Sequence, residues 1–113
     1  MKRATLHLSD LSFGSVVLAS KGWVLVDFYS APMPDCQRQG VVIEDLAPRY
    51  QKKVLMAKLD IDKNPGITSR YRVTSVPTLI LFKDGEEVDR ISGFVSEEEL
   101  SSYLDQKIKD IKK

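Results

Sequence analysis

The sequence predicts an α/β fold with a mixed central sheet and helices on both faces. Two runs, Trp23 to Tyr29 and Val54 to Ile61, are almost continuously hydrophobic, which is typical of strands covered by helices on both sides. A helical segment separates them, so we expect them to be parallel and joined by a right-handed crossover. The late segment Lys83-Asp84-Gly85-Glu86 predicts a hairpin turn, which adds antiparallel strands.

The elements are predicted in the order β-α-β-α-β-α-β-β-α. Thr5 to Leu8 forms a short strand, and Ser9 or Asp10 can cap the short helix that follows. Lys21-Gly22 ends that helix, because glycine is favoured just beyond a helix terminus. The run from Trp23 to Tyr29 then forms the second strand.

The helix after the second strand begins near Pro34 or Asp35, because proline suits the first helical position. Residues at helical spacing predict its buried face, which comprises Cys36, Gly40, Ile43, Leu46, Ala47 and Tyr50. After the third strand, Asn64-Pro65-Gly66 opens a short helix that continues to about Tyr71.

The last third of the chain predicts a hairpin and a helix. Pro77 to Phe82 is a strand, and Glu87 to Ser92 alternates polar and apolar residues as an exposed edge strand does. Ser96 and Glu99 form a capping box at the start of the last helix. That helix carries an apolar stripe of Leu100, Tyr103, Leu104, Ile108 and Ile111.

Length and charge limit the classes of function. A chain of 113 residues predicts one domain, residues 1–113, without linkers or repeats. Seventeen Lys and Arg against sixteen Asp and Glu give a net charge of +1, so we expect no nucleic-acid partner. No window has the ~20 apolar residues of a membrane span, so we expect no membrane partner either.

Cysteine and histidine are scarce. The single cysteine, Cys36, excludes an internal disulfide framework and a cysteine-rich zinc site. The single histidine, His7, is predicted to be a strand residue facing solvent. We therefore expect no metal and no cofactor. The N-terminal MKRATLHLSD lacks the apolar run of a signal peptide, and a free thiol suits a reducing compartment, so we predict a cytoplasmic protein.

Several segments together resemble one known family: WVLVDFYSAPMPDC, MAKLDIDKNPG, YRVTSVPTLILFKDGE and ISGF. In sequence and spacing they are similar to thioredoxin, and the resemblance covers nearly the whole chain. It implies a thioredoxin fold, a cis peptide bond before Pro77, and disulfide exchange through the family motif W-C-G-P-C. Here the corresponding residues, Pro32 to Cys36, read P-M-P-D-C.

The departure from the motif affects the first step of the family's chemistry. Disulfide reduction begins when a thiolate attacks a target sulfur. The resemblance places that thiolate at Met33, whose thioether cannot form a disulfide. Cys36 matches the second cysteine, which resolves the mixed disulfide. We therefore predict that ordinary dithiol–disulfide reductase activity is absent.

Two charged residues of the family's site are retained. Asp27 matches the aspartate beneath the second cysteine, which is thought to take its proton, and Lys58 matches the lysine near it. Asp27 and Lys58 are therefore either a retained base system for a reactive Cys36 or an inherited buried ion pair that is costly to break. We favour inheritance, because Asp35 beside Cys36 would repel a thiolate. Cys36 is then a small, buried, unreactive side chain.

The peptide groove of the family is better preserved than its redox motif. The resemblance implies that an extended peptide pairs with the backbone before the cis-proline and touches the glycine loop beyond the last strand. The matching positions and their flanking residues are Pro32, Ile61, Val76, Pro77, Gly93 and Phe94. Phe94 is larger than the residue usual there, so it could extend the apolar face or block it.

These observations leave two functional hypotheses. The leading one is a monomeric binding or accessory module of thiol redox homeostasis that holds a partner in the cis-proline groove. The alternative is a thiol–disulfide oxidoreductase in which Cys36 acts alone and an external thiol supplies the second sulfur. A third possibility is that Met33 was introduced in the laboratory to inactivate the site. We disfavour it, because Pro32, Pro34 and Asp35 also depart from the motif.

Overall fold

A five-stranded mixed sheet organises the part of the chain that the computed structural model describes, residues 5–111. In chain order the strands are β1 (Thr5–Leu8), β2 (Trp23–Tyr29), β3 (Val54–Asp60), β4 (Thr78–Lys83) and β5 (Glu86–Ser92). Across the sheet they lie in the order β1-β3-β2-β4-β5. Strand β3 is parallel to β1 and β2, whereas β4 is antiparallel to β2 and β5. The predicted α/β fold with a mixed sheet is therefore confirmed.

Within the described residues, three α-helices connect or follow the strands: α1 (Pro34–Tyr50), α2 (Pro65–Arg70) and α3 (Glu97–Ile111). The predicted α-helix before β2 is instead a π-helical segment, Gly14–Leu18. The N–H of Ala19 donates to the carbonyl of Gly14 at 3.0 Å, five residues back, which is the π-helical pattern. No helix within residues 5–111 is long and apolar enough to cross a membrane.

Two apolar layers lie on opposite faces of the sheet. Strand β2 contributes to both, because its side chains alternate between the faces. Val24, Val26 and Phe28 pack on the side of the π-helical segment and α2, while Leu25 packs against α1 and α3. By the same alternation Asp27 faces α1, where an apolar residue would be expected.

The predicted inward residues of α1 are all buried. Those of α3 are buried or half-buried up to Ile108, while the side chain of Ile111 lies outside the described residues. The capping box of α3 is formed as predicted. The N–H of Glu99 donates to Ser96 Oγ, and the N–H of Ser96 donates to Glu99 Oε1, both at 3.1 Å.

Asp10 caps a different helix from the one predicted. The N–H groups of Gly66 and Ile67 donate to its two carboxylate oxygens at 3.1 and 2.8 Å, so Asp10 caps α2. Ser9 remains at the first turn, where its Oγ accepts the N–H of Ser12 at 3.2 Å. His7 is exposed on β1, and the N-terminal residues 1–4 lie outside the described range.

Candidate functional site

The site lies where the carboxyl ends of β2, β3 and β5 meet the amino ends of α1 and β4. Met33 is the N-cap residue of α1, and Pro34 occupies the first helical position, where its missing N–H is no loss. The carbonyl of Met33 accepts the N–H of Gln37 at 3.1 Å, as an N-cap carbonyl should. The Met33 side chain is 45% exposed. The thioether therefore stands at the position of the family's attacking sulfur.

Cys36 lies one turn into the helix and faces inward. Its side chain is only 3% exposed, and Sγ accepts the backbone N–H of Ser30 at 3.5 Å. Burial raises the pKa of the Cys36 thiol; the hydrogen bond from Ser30 opposes this, while the carboxylates of Asp27, Asp35 and Asp62 raise the pKa further. The thiol is therefore held in its protonated form.

Asp27 is fully buried beneath the start of α1. Within the described part of the chain, neither of its carboxylate oxygens has a hydrogen-bond partner. Desolvation raises the pKa of Asp27 to about 7, although the nearby positive charge of Lys58 partly opposes this rise. Such a group can hold or release a proton near neutral pH.

Asp27 and Lys58 interact through charge without a direct contact between their polar atoms. The two residues are neighbours in the register of β2 and β3, yet no ion pair joins their side chains. Instead Lys58 Nζ lies 4.8 Å from the ring centroid of Tyr29. Lys58 is half-buried, so its long stem can carry the ammonium group out to the edge of the site, where it keeps part of its hydration.

A cavity of about 290 Å³ reaches Cys36 from the side of α1, between Tyr29, Lys58 and Glu44. Gly40 forms part of its wall, and a Cβ at this position would lie 3.2 Å from Lys58 Nζ. The absence of a side chain at Gly40 therefore leaves room for the ammonium group. No group of three or more His, Cys, Asp or Glu in residues 5–111 is arranged to hold a metal ion.

The residues matched to the peptide groove converge on the same edge. The Val76–Pro77 peptide bond is cis, and the carbonyl of Pro77 accepts the N–H of Gly93 at 2.9 Å. Gly93 has a φ of 92°, and no described atom outside its own neighbourhood lies within 4 Å of where a Cβ would stand. Pro32 is exposed, whereas Ile61 and Val76 are half-buried against the core.

Phe94 is half-buried, and Arg38 of α1 covers one face of its ring. The guanidinium of Arg38 lies 4.0 Å from the centroid of the Phe94 ring, and Arg38 also pairs with Asp35 at 3.0 Å. This stacking joins the first turn of α1 to the loop after β5. Arg38 could not be assigned to the site from the sequence, because its partner Phe94 is distant along the chain.

Gln39 was also missed. It is fully buried, its Nε2 donates to the carbonyl of Val95 at 3.1 Å, and its Oε1 accepts the N–H of Val95 at 2.9 Å. These two bonds fix the loop that follows Gly93. A signal was present, since Gln39 lies between Cys36 and Gly40 on the predicted inward face of α1.

Comparison with known proteins decides the family. The thioredoxin family model matches residues 4–106. The chain belongs to the thioredoxin family. Thioredoxins of Staphylococcus aureus strains Mu50 and MW2 are each 41% identical to it over 103 residues, which span 91% of this chain and 97% of theirs.

As a thioredoxin-family redox protein, the chain is unusual in the sulfur groups of its site. It has one cysteine, and that cysteine is buried and protonated. Thiol–disulfide exchange requires an accessible thiolate. The accessible sulfur at the start of α1 is instead the thioether of Met33.

Proposed function

We propose that this chain is a thioredoxin-like binding or accessory module of cytoplasmic thiol redox homeostasis that does not reduce disulfides by dithiol chemistry. The observation that carries the proposal is that the exposed sulfur of the site is a thioether, while the thiol is buried. Met33 is 45% exposed where attack would begin, while Cys36 is 3% exposed. A thioether has no proton to lose and forms no disulfide, so the first step of exchange has no nucleophile.

The groove supports a binding role. The backbone of Val76 precedes a cis-proline, and the loop at Gly93 is tied to Pro77 by a hydrogen bond of 2.9 Å. Gln39 and Arg38 hold the far side of that loop. A pre-formed edge of this kind suits an extended peptide that pairs through its main chain. We propose an extended peptide or protein partner for a monomeric chain, with no nucleic acid or membrane involved.

One observation favours the alternative, an oxidoreductase that uses Cys36 with an external thiol. The cavity beside α1 reaches Cys36, and Asp27, with a pKa of about 7, could accept the thiol proton near neutral pH. Lys58 would then stabilise the ionised carboxylate. Against this, the carboxylates of Asp27, Asp35 and Asp62 all disfavour a thiolate at Cys36.

Insulin reduction driven by dithiothreitol separates the two hypotheses. We expect no turnover above the uncatalysed background, for the wild type and for Cys36→Ser alike. A clear rate in the wild type that is lost in Cys36→Ser would reject the proposal and support the alternative.

Panning a phage-displayed library of random peptides against the chain tests the binding role. We expect it to select peptides that Met33→Asp no longer holds, because a carboxylate replaces the exposed thioether that directly follows the groove residue Pro32. Asp is a favoured N-cap residue, so this loss would not reflect unfolding. Val88→Asp is the matched control: it makes the same change at a 47% exposed residue of β5 outside the groove residues, and it should keep the peptides. Equal losses in both variants would reject the groove as the binding site.

A further inference from the structure

We propose that Met33 is a site of reversible oxidation, at which hydrogen peroxide converts the thioether to a sulfoxide and so closes the groove to an apolar partner. The modification itself follows from the positions of the sulfur atoms. Only its effect on the groove rests on the function proposed above.

Exposure singles out Met33 among the sulfur-containing residues of the described range. Met33 is 45% exposed, whereas Met56 is 1% and Cys36 is 3% exposed. Peroxide must touch the sulfur that it oxidises. Met56 is enclosed in the core, and the cavity beside α1 leaves only 3% of Cys36 exposed. Met56 lies in the core on the α1 side of the sheet and serves as an internal reference.

The protonation state of Cys36 further lowers its reactivity toward peroxide relative to that of Met33. Cysteine is oxidised as its thiolate, and the surroundings of Cys36 keep it protonated at neutral pH. Met33 needs no deprotonation, so its oxidation should not depend on pH in this range. In this member of a redox family, the sulfur that responds to oxidant is therefore the methionine.

The chemistry balances without a cofactor. The O–O bond of hydrogen peroxide breaks, one oxygen bonds to the sulfur of Met33, and the other leaves as water. The sulfur loses two electrons, and the peroxide gains them. Methionine sulfoxide reductases return the two electrons from a dithiol, which makes the change reversible.

The position of Met33 suits the oxidised product. No side chain among residues 5–111 caps the start of α1, and an N-cap residue that carries a hydrogen-bond-accepting oxygen is favoured there. A partly negative sulfoxide oxygen at this N-cap residue would be favoured by the positive end of the helix dipole. Met33 directly follows the groove residue Pro32, so a polar sulfoxide there would disfavour an apolar peptide residue.

The test is peptide mapping by mass spectrometry after the intact chain is treated with hydrogen peroxide at pH 6 and pH 8. Met33 should be oxidised at least about tenfold faster than Met56, at the same rate at both pH values, and ahead of Cys36 at pH 6. In denaturant Met56 should become as reactive as Met33, because the fold no longer protects it. Oxidation of Cys36 or Met56 at or above the rate of Met33 in the folded chain would overturn the assignment.

The effect of Met33 oxidation on the groove is measured as the binding of peptides selected from the same phage library. Peptide binding by the wild type should fall at least about tenfold after oxidation of Met33, because a polar group then faces the peptide. Binding by Met33→Leu, whatever its starting level, should not respond to peroxide. Unchanged binding by the oxidised wild type would overturn the closing of the groove. If the untreated chain selects no peptide, the proposed function fails, while the order of oxidation still decides the modification site.

Discussion

Asp10 and Asp27 show how differently two regions of this molecule use a carboxylate. Asp10, at the end of β1, accepts the N–H groups of Gly66 and Ile67 at 3.1 and 2.8 Å and so caps α2. Asp27, in the middle of β2, is fully buried and has no hydrogen-bond partner among the described residues. Asp10 stabilises the fold by capping α2, whereas the ionised form of Asp27 destabilises it.

Asp27, unlike Asp10, therefore does not raise the free energy of unfolding when it is ionised. A buried carboxylate that lacks partners is costly in its ionised form, and an apolar residue would fit the pattern of β2 better. Asp27, Cys36 and Lys58 match the family's redox site by resemblance. We propose that the interior of that site is inherited in this chain, with Met33 at the position of the attacking thiol.

The largest expected effect is the pH dependence of stability due to Asp27. Its pKa in the folded chain is raised to about 7 from an ordinary value of 3.8, so between these values the unfolded chain gives up the proton first. Stability should therefore fall as the pH rises from about 4 to about 7, by up to about 4 kcal/mol. Urea unfolding at pH 4.5 and pH 7.5 measures it.

Asp27→Asn should abolish the fall in stability between pH 4 and pH 7 that is due to Asp27. The variant should be more stable than the wild type at both pH values, by only about 1 kcal/mol at pH 4.5 and by more at pH 7.5, because at pH 4.5 only the unfolded wild type has begun to lose this proton. Parallel pH profiles for the two chains would show that Asp27 is not destabilising when ionised, and the contrast with Asp10 would disappear.

Asp10→Ala should change stability in the opposite direction. Removing both acceptors leaves the first N–H groups of α2 uncapped, which should lower the free energy of unfolding by about 1–2 kcal/mol. Asp10→Asn keeps one carbonyl acceptor and should lose less. Urea unfolding at pH 7.5 compares the three chains, and an Asp10→Ala variant as stable as the wild type would contradict the capping role.

The smallest effect comes from giving α1 the kind of cap that Asp10 gives α2. Met33→Asp places a carboxylate at the N-cap position of a helix that has no side-chain cap within the described residues. The free energy of unfolding should rise by about 1 kcal/mol. Met33→Leu, which adds no acceptor, should leave it unchanged. A destabilised Met33→Asp would mean that the first turn of α1 is not open to a cap.

The strands and the buried face of α1 could be predicted from the sequence, because their patterns are local. All five strands agree with the predicted ranges to within one residue at each end. The π-helical segment could not be distinguished from an α-helix, since both bury Phe13 and Val17. The spacing of apolar residues does not show whether each N–H donates to the carbonyl five residues back, as in a π-helix, or four residues back, as in an α-helix.

The sequence indicated which residues belong to the site, but it could not indicate contacts between residues that are distant along the chain. The resemblance marked Asp27, Lys58 and Cys36, but the course of the Lys58 side chain depends on the room left by Gly40. The bonds from Gln39 to Val95 and from Asp10 to α2 join residues more than fifty positions apart. Only the folded chain brings such partners together, so no pattern along the sequence indicates them.

The rate of alkylation of Cys36 by iodoacetamide, measured against pH in the folded chain, tests whether its thiol is buried and unreactive. We expect slow alkylation at neutral pH, a midpoint above the roughly 8.5 of a free cysteine, and a large acceleration in denaturant. The Asp27→Asn variant should still alkylate slowly at neutral pH. Rapid alkylation at neutral pH with a midpoint below that value would contradict the account, because Cys36 would then be an accessible thiolate.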